Sequence, residues 1–173
     1  MSVLIAFGTI EGQTEKIARF VEEVVRRSGH RVVVFDTVDR GSNALFDGIE
    51  TVILAASVHE RRHPKSFEDF VSAHRTDLAS RKVMLLSVSL NAAFEEFLDD
   101  AQDYADEVMM RTGLTPAETV LVAGAVRPES YDAYARRVLS RVVLRGRTFD
   151  PTKDAHEFTD WTALEASVSE FLA

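Results

Sequence analysis

Short apolar segments alternate along the chain with longer segments in which apolar residues recur every three or four positions. The short segments are rich in valine, isoleucine and leucine, which is typical of buried strands. They predict five strands, at residues 2–7, 31–35, 51–57, 82–88 and 119–125. The longer segments predict helices at residues 13–28, 66–79, 94–112, 129–145 and 162–172.

Regular alternation of strands and helices predicts an α/β fold. The strands are apolar on both sides, so we expect helices on both faces of a parallel sheet. Five strands in this arrangement match a flavodoxin-like doubly wound five-stranded parallel sheet, with strand order 2-1-3-4-5. No repeat or linker interrupts the pattern, and we expect a single domain over residues 1–173.

Composition narrows the possible functions. The 173 residues include no cysteine, which excludes disulfides, thiolate catalysis and cysteine-ligated metal sites and favours a cytoplasmic protein. The formal net charge of −8 argues against nucleic acid as the main partner, because phosphate binding needs a basic face. No apolar segment reaches the roughly 18–20 residues that cross a bilayer.

The first predicted strand and helix are joined by a loop of small and polar residues. The loop contains Thr9, Ile10, Glu11, Gly12, Gln13 and Thr14. In a doubly wound sheet, ligands bind beyond the carboxyl ends of the strands, where a helix N-terminus attracts anions. The loop therefore predicts a phosphate site, with the hydroxyls of Thr9 and Thr14 and the amide of Gln13 as donors. The alternative is that one threonine merely caps the helix.

Two further loops follow strands three and four. The second-loop candidates are Ser57, Val58, His59 and Glu60, and the third-loop candidates are Ser87, Val88, Ser89, Leu90 and Asn91. Together with the phosphate loop, they predict a site for flavin mononucleotide (FMN), with its ring between the second and third loops.

His59 is the candidate catalytic residue, because histidine is the side chain that ordinarily titrates near neutral pH. The spacing of His59 and His63 does not match a metal pair, and no metal site is predicted. The alternative for the second loop is a solvated basic segment before a helix.

Six segments occur in an order that resembles a known family. They are residues 7–14 (FGTIEGQT), 55–58 (AASV), 67–71 (FEDFV), 87–90 (SVSL), 123–127 (AGAVR) and 159–161 (TDW). Together they resemble the menaquinone-dependent protoporphyrinogen IX dehydrogenase family of flavodoxin-like enzymes. The resemblance implies FMN as cofactor, electron transfer from protoporphyrinogen to a quinone, and flavin contacts from residues 9–14, 57–62 and 87–91. The family enzyme has aromatic residues in its second loop, whereas none lies between Ser57 and Phe67 here.

An arginine-rich stretch covers residues 129–147. Its arginines, from Arg136 to Arg147, alternate with apolar residues. This pattern suits peripheral contact with the inner face of the cell membrane, binding of a porphyrin carboxylate, or an ordinary amphipathic surface helix. Trp161, the only tryptophan, follows Asp160 at a predicted helix start, and we expect it to pack that helix against the sheet.

Three functions remain open from the sequence. The first is an FMN-dependent oxidoreductase whose redox partner is a quinone or a reductase and whose substrate is a porphyrinogen. The second is a flavodoxin-type electron carrier, which the acidic composition favours. The third is a flavodoxin-like binding module that has lost FMN, which the missing second-loop aromatics favour.

Overall fold

The computed structural model describes residues 1–39, 45–126 and 156–173. Its strands are β1 (Ser2–Gly8), β2 (Arg31–Asp36), β3 (Thr51–Ser57), β4 (Lys82–Ser89), β5 (Glu118–Ala123), β6 (Ala125–Val126) and β7 (His156–Glu157). Its α-helices are α1 (Gln13–Arg27), α2 (Lys65–Ala73), α3 (Arg75–Ala79), α4 (Leu98–Thr112) and α5 (Trp161–Leu172), with 3-10 turns at Asn91–Ala93 and Glu95–Phe97. The predicted helix at residues 129–145 and the arginine-rich stretch lie outside the described residues.

Strands β1 to β5 form one sheet in the order β2-β1-β3-β4-β5, and every pairing in it is parallel. This confirms the predicted fold class and strand order. Because all five strands run the same way, their carboxyl ends lie along one edge of the sheet, which is where such folds bind ligands.

The central strand β1 shows why the strands are apolar throughout. Val3, Ile5 and Phe7 pack into a core formed with α1 and α5, while Leu4 and Ala6 pack into a second core formed with α2 and α4. Successive side chains of a strand point to opposite faces, so a strand covered on both faces must be apolar at every position.

Two predicted helices differ from the observed ones. The segment 66–79 is broken at His74, whose ring packs against Phe46 and Phe70 at centroid distances of 4.9 and 4.7 Å. The segment 94–112 becomes an α-helix only at Leu98, because Phe94 is extended (φ −131°, ψ 125°) and buries its ring. In both cases the packing of an aromatic ring overrides helix propensity.

The last helix, α5, packs against the first helix, α1. The carboxylate of Asp160 accepts a hydrogen bond from the Ala163 N–H (2.9 Å), which caps α5, and the Trp161 ring lies 4.9 Å from the ring of Phe20 in α1. Trp161 thus packs against α1 and against the core that α1 and α5 share with the sheet, so its role is structural, but its ring contact is with a helix and not with a strand. The fifth strand ends at Ala123, two residues earlier than predicted, because Ala125 and Val126 pair with β7 instead of β4.

Candidate functional site

A cleft lies at the carboxyl edge of the sheet, bordered by the loops that follow β1, β3 and β4. It holds about 770 Å³ of space, including its open mouth. Of the predicted site residues, those lining it are Thr9, Ile10, Glu11, Gln13, Thr14, Ser57, Val58, His59, Glu60, Val88, Ser89, Leu90 and Asn91. The fold thus brings the three predicted loops to one site.

Two predicted site residues do not line the cleft. Gly12 lies just behind the first loop, where its φ of 86° makes the turn into α1. Ser87 is fully buried in β4, and its hydroxyl lies 3.1 Å from Nε2 of His63. Gly12 thus shapes the loop and Ser87 lies inside the sheet, and a flavin contact by either residue stays a prediction.

The first loop presents a helix start and an unpaired hydroxyl. Gly12, whose conformation suits glycine, is the residue before α1, and no side chain caps the helix. Thr9 Oγ1 instead accepts a hydrogen bond from the Gly12 N–H (2.9 Å) and holds the loop closed. Thr14 is fully buried, and its Oγ1 has no hydrogen-bond partner. The free backbone donors of the helix start and this hydroxyl together suit an anionic group.

The amide of Gln13 is used differently from the prediction. Its Nε2 donates to Thr159 Oγ1 and to Glu157 Oε2, both at 3.1 Å, which ties α1 to the segment before α5. Glu157 also accepts hydrogen bonds from Lys16 and from Trp161 Nε1. Burial opposes the charge of Glu157, but these donors outweigh it and lower its pKa. The amide is thus engaged with Thr159 and Glu157 in this structure, and the predicted donation from Gln13 to a phosphate stays a prediction.

The second loop is a tight two-residue turn. His59 and Arg62 exchange backbone hydrogen bonds of 2.9 and 3.0 Å, and the residues between them, Glu60 and Arg61, have φ values of 48° and 67°. Both central positions of such a turn need positive φ, which glycine and asparagine adopt with least strain. The loop is joined to the third loop by the Val58 N–H, which donates to the Val88 carbonyl (2.7 Å). Ser57 Oγ, just before the turn, is buried and has no hydrogen-bond partner.

A buried carboxylate holds the base of this turn. Glu68 of α2 accepts hydrogen bonds from Arg62 (Nη2 at 2.9 Å) and from Arg111 of α4 (Nη2 at 2.9 Å). Burial raises the pKa of Glu68, but the two guanidinium groups outweigh burial and hold the pKa below its ordinary value. A charged Glu68 therefore links α2, α4 and the turn.

The third loop contacts an aromatic residue of α4 that was not among the predicted site residues. Asn91 Nδ2 donates to the Tyr104 hydroxyl (3.2 Å), and Tyr104, from α4, lines the cleft beside Gly124, Ala125 and Val126. The Arg61 guanidinium lies 5.9 Å from the Tyr104 ring centroid. The helical spacing of Ala101, Tyr104, Ala105 and Val108 marked Tyr104 as inward-facing, but not as a cleft residue.

His59 and His63 differ sharply in environment. His59 lines the cleft, with Nδ1 3.8 Å from Glu11 Oε1. His63 is buried behind the turn, and burial lowers its pKa to about 4 despite the nearby charge of Glu68, so the ring is neutral at pH 7. A catalytic role for His59 stays a prediction.

The part of the chain that the structure describes contains no cluster of histidine, aspartate and glutamate suited to a metal ion. Within the same residues, no helix is both long enough and apolar enough to cross a bilayer.

Curated relatives resemble nearly the whole chain. Protoporphyrinogen IX dehydrogenase [quinone] of Escherichia coli strain K12 is 27% identical over 162 residues, which cover 93% of this chain and 89% of that protein. The protein of the same name from Leishmania major is 25% identical over 173 residues, covering 98% of this chain and 74% of that protein.

Solved structures show the same fold. Oxidised flavodoxin 1 from Bacillus cereus superposes with a TM-score of 0.60 at 17% identity, covering 99% of this chain and 97% of that chain. The model of the flavodoxin domain family matches residues 4–151, which include β1 from Leu4 onward, strands β2 to β5 and the three loops of the cleft. The chain therefore belongs to the flavodoxin domain family.

Proposed function

We propose that the cleft binds FMN and that the protein is an FMN-dependent oxidoreductase of the protoporphyrinogen IX dehydrogenase type. The observation that carries the proposal is the pair of buried, unpartnered hydroxyls, Thr14 and Ser57. An unpaired buried hydroxyl costs about 1–3 kcal/mol, so its retention beside a cleft favours a ligand that pairs it. Thr14 lies in the first turn of α1 and Ser57 is the last residue of β3, so the two unpaired hydroxyls belong to two different loops of the cleft.

Each part of the cleft suits a different part of FMN. The backbone donors after Thr9 and the hydroxyl of Thr14 would hold the phosphate. Ser57 and the turn after it would border one side of the ring, and the third loop would border the other. Tyr104 borders the cleft from α4, but its side chain is almost fully buried and offers the flavin little aromatic surface. FMN, when bound, supplies the electron-accepting chemistry, and the residues of the chain position it and set its electrostatics.

The names of the curated relatives support the substrate class. Both are named as quinone-linked protoporphyrinogen IX dehydrogenases, and both align with nearly the whole chain. We therefore propose a porphyrinogen as the electron donor and a quinone as the acceptor, with His59 as the candidate proton-transfer residue at the mouth of the cleft.

The test has two stages. First, a visible absorbance spectrum is recorded for the purified protein, and again after FMN is added and the excess removed; a retained flavin spectrum is expected. Second, the FMN-loaded protein is assayed for quinone-dependent oxidation of protoporphyrinogen, with the Escherichia coli relative as a parallel control. Absence of activity with every quinone, while the control is active, would contradict the substrate proposal.

A second candidate is a flavodoxin-type electron carrier. Exposed carboxylates follow the third loop, at Glu95, Glu96, Asp99, Asp103 and Asp106, and they would suit docking on a basic redox protein. Flavin reduction by a reductase whose rate falls steeply with added salt, in a protein that does not oxidise porphyrinogen, would favour the carrier. A protein that binds no FMN would instead favour the binding-module hypothesis.

A further inference from the structure

Two residues of the second loop adopt a left-handed backbone conformation, which only glycines adopt elsewhere in the described chain. Among the described residues, the only positive φ values outside glycine are those of Glu60 (48°) and Arg61 (67°). The other four such positions are Gly12, Gly29, Gly48 and Gly113. A left-handed conformation costs an ordinary residue about 1–2 kcal/mol, so this turn carries strain that glycine would relieve.

Arg61 places a positive charge at the part of the cleft that the structure describes. Of the described residues that line the cleft, Glu11 and Glu60 are acidic, and Arg61 alone carries a permanent positive charge. Its guanidinium carbon lies 5.9 Å from the centroid of the buried Tyr104 ring, which also borders the cleft.

The turn that carries Arg61 is fixed at its base. Arg62 closes the turn through two backbone bonds with His59, and its side chain is held by the buried Glu68. Arg61 therefore lies in a turn whose following residue is tied to α2.

We propose that Arg61 makes the cleft bind reduced flavin more tightly than oxidised flavin, and so raises the reduction potential of the bound cofactor. This inference rests on the proposed binding of FMN. Uptake of two electrons and one proton, the proton going to N5, leaves the flavin with one more negative charge than the oxidised form. The exposed Arg61 guanidinium at the edge of the cleft stabilises that added charge by Coulombic attraction, which solvent screens in part.

The ratio of the two dissociation constants fixes the potential of bound FMN relative to free FMN. A tenfold loss of affinity for the reduced form, with the affinity for the oxidised form unchanged, lowers a two-electron potential by about 30 mV. The potential therefore measures the role of Arg61 without any turnover assay.

The experiment compares Arg61→Asn, Arg61→Lys and Lys65→Gln with the wild-type protein. Asparagine tolerates the left-handed conformation and removes the charge, and lysine retains the charge. Lys65→Gln removes a neighbouring exposed cation that pairs with Asp69 and does not line the cleft. Dissociation constants are measured for oxidised FMN, and potentials are measured by reduction with dithionite against a reference dye.

We expect Arg61→Asn to weaken binding of reduced FMN at least tenfold more than binding of oxidised FMN. Arg61→Lys should recover most of the difference, and Lys65→Gln should leave the potential unchanged. As a measurement without cofactor, Arg61→Gly should raise the melting temperature of the apoprotein by about 2–4 °C, because it relieves the strained φ.

Three results would overturn the inference, and they are distinguishable. Wild-type protein that binds no FMN overturns both this inference and the proposed function. Normal FMN binding with an unchanged potential in Arg61→Asn overturns the inference alone. An unchanged potential with a raised KM for a carboxylated substrate would assign Arg61 to the substrate instead.

Discussion

Thr14 provides the sharpest test of ligand binding at a single residue. Its hydroxyl is buried without a partner, so replacing it with the similar-sized valine removes a cost from the apoprotein. We expect Thr14→Val to leave the free energy of unfolding of the apoprotein unchanged or raised. We expect it to weaken FMN binding about tenfold, or about 1.4 kcal/mol, as measured by flavin fluorescence titration.

Thr112 is the matched control for Thr14. It is also a buried threonine in a helix, but its hydroxyl donates to the Val108 carbonyl at 2.7 Å. Thr112→Val should therefore lower the stability of the apoprotein by about 1 kcal/mol and leave the dissociation constant of FMN unchanged. Equal FMN affinity in Thr14→Val and the wild-type protein would contradict the phosphate role of Thr14.

His63 predicts how stability depends on pH. Its folded-state pKa, about 4, lies below its ordinary 6.5, so between these values the unfolded chain binds a proton that the folded protein does not. Stability is then full above pH 6.5 and falls as the pH drops toward 4, by about 3 kcal/mol in total. Urea unfolding of the apoprotein at several pH values should show this slope, and His63→Gln should flatten it whatever its stability at pH 7. An unchanged slope in His63→Gln would contradict the prediction.

At the scale of elements, Glu68 connects two helices and the second loop. Its carboxylate is buried, whereas its partners Arg62 and Arg111 are partly exposed, so solvent screens the ion pairs. The lowered pKa of Glu68 contributes stability that is present above its ordinary value near 4.5 and is lost as the pH falls through the folded-state pKa. We expect Glu68→Gln to lower the free energy of unfolding at pH 7 by about 1–2 kcal/mol and to reduce its loss below pH 4.5.

Glu107→Gln is the control for that variant, because Glu107 pairs with the same Arg111 from an exposed position. Its effect on stability should stay within about 0.5 kcal/mol. The two variants also differ in the second loop. Glu68→Gln should increase protease cleavage near Arg61 and Arg62, and Glu107→Gln should not. Equal cleavage in both variants would show that Glu68 does not hold the turn.

The elements also show what the sequence can predict. The strands could be predicted because burial on both faces requires continuous apolar segments. The three loops could be predicted because all strands of a parallel sheet end at the same edge, so the loops after β1, β3 and β4 lie together there. The break at His74 and the late start of α4 depend on rings that meet only after folding. Tyr104 enters the cleft for the same reason, because its position in α4 reveals burial but not the neighbour it meets.

Positive φ at Glu60 and Arg61 was the least predictable feature of the site. Neither residue favours a left-handed conformation, and no glycine or asparagine marks the turn. The turn forms because its base is held from outside, by Glu68 on one side and by the bond from Val58 to Val88 on the other. Such tertiary causes leave no signal in a local stretch of sequence.

At the scale of the whole molecule, the last helix completes the core that the first strand begins. Leu164, Val168 and Phe171 of α5 share one buried cluster with Val3 of β1 and Ile17 of α1. An ion pair between Arg27 and Glu165 (3.0 Å) also joins α1 to α5. Elements from the two ends of the chain therefore bury the same face of the sheet, which favours unfolding as one cooperative unit.

Trp161 makes this cooperativity measurable, because the only tryptophan stands at the start of α5 against Phe20 of α1. Tryptophan fluorescence reports the departure of α5, and far-UV circular dichroism reports the helices as a whole. We expect both signals to give the same urea midpoint. Asp160→Ala removes the cap of α5, so it should lower the free energy of unfolding by about 1 kcal/mol and shift both urea midpoints by the same amount. A change in the fluorescence midpoint alone would show that α5 unfolds as a separate unit. In that case, FMN at a hundred times its dissociation constant should stabilise the transition seen by circular dichroism by about 2.7 kcal/mol, and it should leave the fluorescence transition of Trp161 unchanged.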